Sequence, residues 1–234
     1  MRFGLFGKLQ SKRDFIAVAT PRSFLSVWEP WLQGCISSSR MQLGDKWQDA
    51  FLTAPIWRFW LGAEICGTTI TGAIMPSMDG VGRYFPLTVV GFSEPGAAPP
   101  PPEIDVGYGW FSAIEDFLFS TLEPGRSFEQ VSEALANLPA PATPVRETPA
   151  SIGWLTPLQG VVARNPDSFA NLFEQTRKAD YESAYANMSF WWTAGGRDYA
   201  QRALATPRMP DAQLYAGMLT GDFASFVQQP AGAS

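Results

Sequence analysis

Apolar residues recur along this chain in two rhythms, and the change from one to the other marks out its elements. Phe24, Val27, Trp28, Trp31, Leu32, Cys35 and Ile36 return every three or four residues, which predicts an amphipathic helix. Thr20-Pro21 supplies its start, a capping hydroxyl followed by a proline at the first helical position. Pro30 falls inside the run and predicts a kink or a break there. A second, short helix is predicted over 45–52, with Trp47 and Phe51 on one face. The rhythm then shortens. Residues 3–7 read as an opening strand, 56–61 as a second, 68–75 as a third and 84–92 as a fourth. In the second, Trp57, Phe59 and Leu61 share one face and Ile56, Arg58 and Trp60 the other. The last, from Tyr84 to Phe92, is a nearly unbroken apolar run, the mark of a strand buried on both faces. The short connections between the strands at 56–61, 68–75 and 84–92 predict an antiparallel meander packed on the preceding helices.

Beyond residue 93 the pattern loosens. The stretch 97–102, AAPPPP, cannot supply ladder donors and reads as an extended loop or spacer. Helices are predicted over 105–122, with Phe111, Ile114, Phe117 and Leu118 on one side, and over 127–138, capped by Ser127. A second Pro/Ala-rich connector runs over 139–149. The last third gives a strand at 152–155, a helical pattern at 166–177, a strand at 189–193 closed by Gly195-Gly196, a short helix at 211–219 and a frayed tail at 228–234.

Composition changes the picture in four ways. With 234 residues, a single domain can build a core without a metal or disulfide staple. It is parsed here as residues 1–93, a connector-rich middle over 94–150, and 151–234. Apolar residues make up 46% and charged residues 17%, with 9 Trp and 17 Phe; such a chain has either a large core or apolar surface kept for a partner. The net charge of −5 and the absence of any basic run disfavour nucleic acid. No apolar run is long enough for a transmembrane helix, no secretory leader is evident, and a cytoplasmic location is expected with Cys35 and Cys66 reduced. The chain contains no histidine, so Ser-His-Asp and Cys-His catalysis and His-ligated zinc are excluded within it, and two cysteines cannot make a Cys-only zinc site.

Several residues stand out against this background. Lys8, Lys12, Arg13 and Asp14 follow the first strand and form either a charged recognition loop or a solvated turn. Arg58, alone among aromatics, must snorkel, stack or pair with a carboxylate, for which Asp14, Glu64 and Asp79 are candidates. Ser77, Asp79 and Arg83 precede the fourth strand, where they either bind an anion or small ligand or close a turn through Asp79-Gly80 and Gly82. Asp45, Asp49, Glu115, Asp116 and Glu123 make no acid-base or metal motif and read as solvated helix faces. Trp191-Trp192 point to opposite faces of a strand; either both are core or Trp192 is an exposed anchor.

One set of stretches belongs together: Phe6-Gly7-Lys8-Leu9, Arg13-Asp14-Phe15, Trp28 with Trp31-Leu32, Ser39-Arg40, Leu43-Gly44, Trp47, Ala54 through Phe59, the dense run Met75 through Thr88, MPSMDGVGRYFPLT, and the closing Ser189-Phe190-Trp191-Trp192. Together they resemble the TagF family of type VI secretion-associated regulators. The likeness covers the first ninety or so residues closely, the middle hardly and the end modestly. It departs at Gln10 and Arg13, where the family carries a proline and a glycine, so a differently shaped first loop is expected. The resemblance implies an α/β fold, a three-layer α-β-α sandwich whose central sheet, mainly antiparallel or mixed, is flanked by helices. It implies a post-translational repressor of type VI secretion, without catalysis or cofactor, that sequesters the forkhead-associated scaffold component. Some members are fused to a PP2C-type phosphatase; this chain ends at Ser234, so any such phosphatase is expected to act in trans. On this reading Lys8, Asp14, Arg58, Ser77, Asp79, Arg83 and Trp192 are the candidate partner-binding residues. The alternative is a small-molecule or nucleotide sensor with its ligand near Arg58, Ser77 and Arg83.

Overall fold

In the computed structural model, residues 1–94, 96–105, 107–141, 152–155, 160–163, 168–196 and 198–226 are described. The first half runs β1 (Arg2–Gly7), β2 (Ile16–Val18), α1 (Arg22–Leu43), α2 (Trp47–Thr53), β3 (Trp57–Leu61), α3 (Ala63–Cys66), β4 (Ile70–Met75) and β5 (Leu87–Phe92). The second runs α4 (Tyr108–Ser120), α5 (Phe128–Ala136), β6 (Ile152–Leu155), β7 (Gly160–Ala163), α6 (Phe169–Ala179), α7 (Tyr181–Ala184), β8 (Met188–Thr193), β9 (Arg202–Pro207) and α8 (Tyr215–Thr220). One sheet has seven strands in the order β2-β1-β5-β4-β3-β8-β9, and β6 and β7 form a separate hairpin. Every pairing in the seven-stranded sheet is antiparallel. The expected meander is β3-β4-β5, and the fold is α/β.

Alternation along the strands feeds two large cores, beside a smaller cluster of Trp60, Ala98, Tyr181 and Tyr185. Trp57, Phe59 and Leu61 of β3 join Phe24, Trp28 and Leu32 of α1, Trp47 and Phe51 of α2, and Tyr215 and Met218 of α8. Ala73, Met75, Leu87 and Val89 of β4 and β5 instead meet Phe111, Ile114 and Leu118 of α4 and Val131 and Leu135 of α5. Burying a large apolar side chain such as Leu87 or Phe111 contributes about 1.5–3 kcal/mol. Cys35 and Cys66 are buried thiols, and burial pushes Cys66 up to about 12.

Pro30 does not break the first helix, which runs 22 residues through it. Pro30 lies on the exposed side, so the carbonyl one turn back, at Ser26, loses its amide donor where water can replace it. Thr20 does not cap: Pro21 occupies the cap position, no side-chain cap bond forms, and the Thr20 hydroxyl is buried without a partner. Ser127 caps α5 as expected, in a reciprocal box with Gln130.

The AAPPPP stretch is a loop, but a buried one. Ala98 through Pro101 are covered, the Trp60 indole N–H donates to the Pro99 carbonyl at 2.9 Å, and the Tyr181 hydroxyl donates to the Ala98 carbonyl. An extended proline run makes no hydrogen bonds of its own, so aromatic donors can satisfy its carbonyls under cover. Beyond it the Tyr185 hydroxyl, pushed up to about 12 by burial and its bond to Glu103, ties this strap to α7. The connector expected at 139–149 falls outside the described residues from 142 onward, and so does the tail at 228–234.

Candidate functional site

The MPSMDGVGR stretch is a closed loop between β4 and β5. Pro76 ends the β4 ladder because it lacks an N–H. Phe85 N–H then donates to the Ser77 carbonyl at 3.0 Å, Asp79 N–H to the Arg83 carbonyl at 3.1 Å, and Gly82 N–H, at φ +82°, to the Asp79 carbonyl at 3.0 Å. The second loop, 8–14, lies against it: Gly80 N–H donates to the Lys12 carbonyl at 2.9 Å and the Ser77 hydroxyl to the Lys8 carbonyl at 2.8 Å. Gly7 makes this approach possible. Its φ of +134° is closed to most side chains, and a Cβ there would stand 2.0 Å from the Pro86 carbonyl oxygen.

Asp79 is the centre of the knot. One carboxylate oxygen accepts from Lys8 Nζ at 2.6 Å and Arg83 Nε at 2.6 Å; the other accepts from the N–H groups of Val81 at 3.1 Å and Arg83 at 2.9 Å. Burial alone would raise this carboxyl, but the bonds from Lys8, Arg83 and Val81 prevail and hold it well below the usual carboxylate range. Lys8, Ser77 and Asp79 are all buried. They brace two loops, and as buried side chains they offer little surface of their own. Lys8 is further covered by the Phe15 ring, 5.0 Å from its Nζ.

The rim of the knot is open. Asp14 and Phe15 are exposed, and the Arg83 side chain is 58% exposed even though its guanidinium is spent on Asp79 and the Arg13 carbonyl. Lys12 Nζ sits 4.4 Å from the Phe128 ring of α5.

Arg58 lies elsewhere. Its partner is Glu115 of α4, with Nε 2.7 Å from Oε1, and the guanidinium also faces the Phe111 ring at 5.4 Å. None of the three carboxylates expected for it, Asp14, Glu64 or Asp79, is that partner. Glu115 is not a solvated helix residue either, with its side chain 20% exposed. The signal was present: Phe111, Ile114, Glu115 and Leu118 lie three to four apart on one helix face.

Arg58 and Glu115 each line a hollow. Arg58 lines a groove of about 630 Å³ with Pro102, Phe190, Trp192, Ala203 and Ala205. Glu115 lines another of about 350 Å³ with Leu52, Phe119 and Leu122, and Thr193 and Ala194 belong to both. Neither has Ser77 or Arg83 on its walls. The twin tryptophans divide as strand alternation requires. Trp191 is fully buried against Trp28, Trp31 and Phe59. Trp192 is half-buried on the groove floor with its ring 4.9 Å from Phe111. Phe190, beside it in the groove, stood in the sequence only as part of the family-like closing stretch and not as a candidate contact, and Ala203 and Ala205 were not singled out. Among the described residues no cluster of His, Cys, Asp and Glu side chains could hold a metal ion.

Comparison with known proteins gives two positive findings. Residues 4–138 match the family described as TagF N-terminal domain, Type VI secretion system-associated. The chain is also similar to PA0076 from Pseudomonas aeruginosa PAO1, known from a crystal structure, at 32% sequence identity and a TM-score of 0.74, over 97% of this chain and 98% of that one. No curated protein matches it.

Proposed function

The chain belongs to the TagF N-terminal domain family of type VI secretion system-associated proteins, and from that premise we propose that it is a post-translational negative regulator of type VI secretion, acting by binding alone. The partner in this reading is the forkhead-associated scaffold component, withheld from assembly while bound. The family match is the observation that carries the reading. The chemistry of the chain supports it. There is no histidine, and the buried charges of the signature loop are occupied by one another. The groove beside β8 and β9, by contrast, is floored by half-buried aromatics and exposed alanines. Aromatic side chains around a concave floor are the usual anchors of protein interfaces. We therefore assign the contact to Trp192, Phe190 and the groove they floor, with Asp14 and Arg83 outside it. A cytoplasmic location and no nucleic-acid partner belong to the same proposal. In support, no helix among the described residues is long and apolar enough to cross a membrane, and the chain is acidic. The family also supports taking the helices as outer layers of a three-layer α-β-α sandwich.

Two experiments test the proposal together: co-purification with the forkhead-associated scaffold, and secretion in cells that overproduce the chain. The wild type is expected to capture the scaffold and lower secretion. Ala203→Arg, which fills the groove from an exposed position, is expected to do neither while remaining folded. Failure of the wild type to capture the scaffold would overturn the reading.

A further inference from the structure

The two edges of the seven-stranded sheet are unlike. β2 has three residues, whereas β9 has six, and no strand among the described residues lies beyond it. An edge strand leaves a row of N–H and C=O groups unpaired, and proteins commonly guard it with charge or proline. Here the interior of the edge, Ala203 to Thr206, carries neither; Arg202 and Pro207 stand only at its ends. The two faces of β9 also differ. Leu204 packs onto the core that holds Trp191. Ala203 and Ala205 are exposed and lie opposite Trp192 and Phe190, so small side chains leave the groove open along the edge. From Arg202 to Met209 the chain has two arginines and no acid, within a protein of net charge −5. Arg202 and Arg208 are exposed, and neither makes an ion pair among the described residues.

We propose that β9 is a strand-addition site for an extended, acid-flanked segment of a partner protein. The backbone of that segment pairs with the β9 edge, alternate side chains enter the groove beside Trp192 and Phe190, and its acids meet Arg202 and Arg208. Charge selects this occupant over a second copy of the chain. Antiparallel self-pairing of β9 centred on Ala205 would bring Arg202 of each copy opposite Arg208 of the other, a destabilising like-charge contact. The inference rests on reading this end of the molecule as the contact surface, but it commits only to the chemistry of the bound segment.

Amide hydrogen exchange on the full chain tests it, with two synthetic Val-Thr repeat peptides as probes, one flanked by glutamates and one by lysines. At about ten times its Kd, the glutamate-flanked peptide is expected to slow exchange of the outward amides of β9 about tenfold, and the lysine-flanked peptide is not. The doubly reversed variant Arg202→Glu with Arg208→Glu, altered only at exposed positions, is expected to exchange those preferences. No protection by the glutamate-flanked peptide, equal protection by both, or protection confined to other segments overturns the inference. Such a failure with scaffold capture intact removes the edge site alone. Protection of β9 without scaffold capture removes the regulatory reading alone.

Discussion

The loop before β5 and the β8–β9 end of the same sheet are both places where polar and aromatic groups gather, and they use them in opposite ways. In the loop, Lys8, Asp79 and Arg83 satisfy one another and nearby backbone. At the far end, Arg58 is similarly tied to Glu115, yet the aromatic floor beside it lines a groove and no strand among the described residues pairs with the outer edge of β9. A long and specific sequence motif can thus record how two loops are held together. The contact surface can lie in a stretch with a much weaker sequence signal. A buried charge needs its partner whatever the protein does, so a motif built from such partners is constrained by folding first.

The comparison is broken most severely by removing Asp79. Asp79→Ala leaves the Lys8 ammonium buried without its counter-charge, and breaking a buried pair in this way costs about 3–5 kcal/mol. Urea unfolding of the purified variant reads this as a much lower midpoint; an unchanged midpoint would mean that the knot is dispensable. Glu115→Ala is the matching change at the other end. Its carboxylate is partly exposed and Arg58 keeps the Phe111 ring, so a smaller loss of about 2 kcal/mol is expected by the same measurement.

Acid sharpens the contrast without mutation. Asp79 is held well below the ordinary carboxylate range in the folded protein, by the Lys8 and Arg83 bonds that outweigh its burial. Its contribution is therefore complete above the unfolded value of about 3.9 and declines as pH falls below that value, because only the unfolded state then takes up the proton. Urea midpoints compared at neutral and acid pH should fall more steeply for the wild type than for Asp79→Asn; parallel slopes would contradict the assignment. The smallest effect is expected at the rim. Arg83→Gln removes a half-exposed ion-pair partner, at about 1 kcal/mol or less, with the loop retained by its backbone bonds.

Much of this fold was legible from periodicity. The meander, the faces of β3 and the Ser127 cap all follow from local spacing. What was missed depends on tertiary context. β2 and β9 are short or weakly apolar and become strands by pairing with β1 and β8. The proline run is buried because Trp60 and Tyr181, far apart in sequence, supply donors to it. The site was legible in part. Asp79 and Arg83 do close a turn, as Gly80 and Gly82 suggested, but the Lys8 link spans 71 residues and nothing in local spacing announces it. Glu115 was readable from its helix face, whereas the groove of Phe190, Ala203 and Ala205 needed the β8–β9 register.

The most direct test is equilibrium titration of the forkhead-associated scaffold into three folded proteins: wild type, Ala203→Arg and Arg83→Glu. Contact through the β8–β9 end requires that Ala203→Arg weaken binding by tenfold or more, the loss of about 1.4 kcal/mol, while Arg83→Glu stays close to the wild type. The reverse order, with Arg83→Glu abolishing binding and Ala203→Arg leaving it unchanged, would place the contact on the signature loop and contradict the division drawn between the two regions.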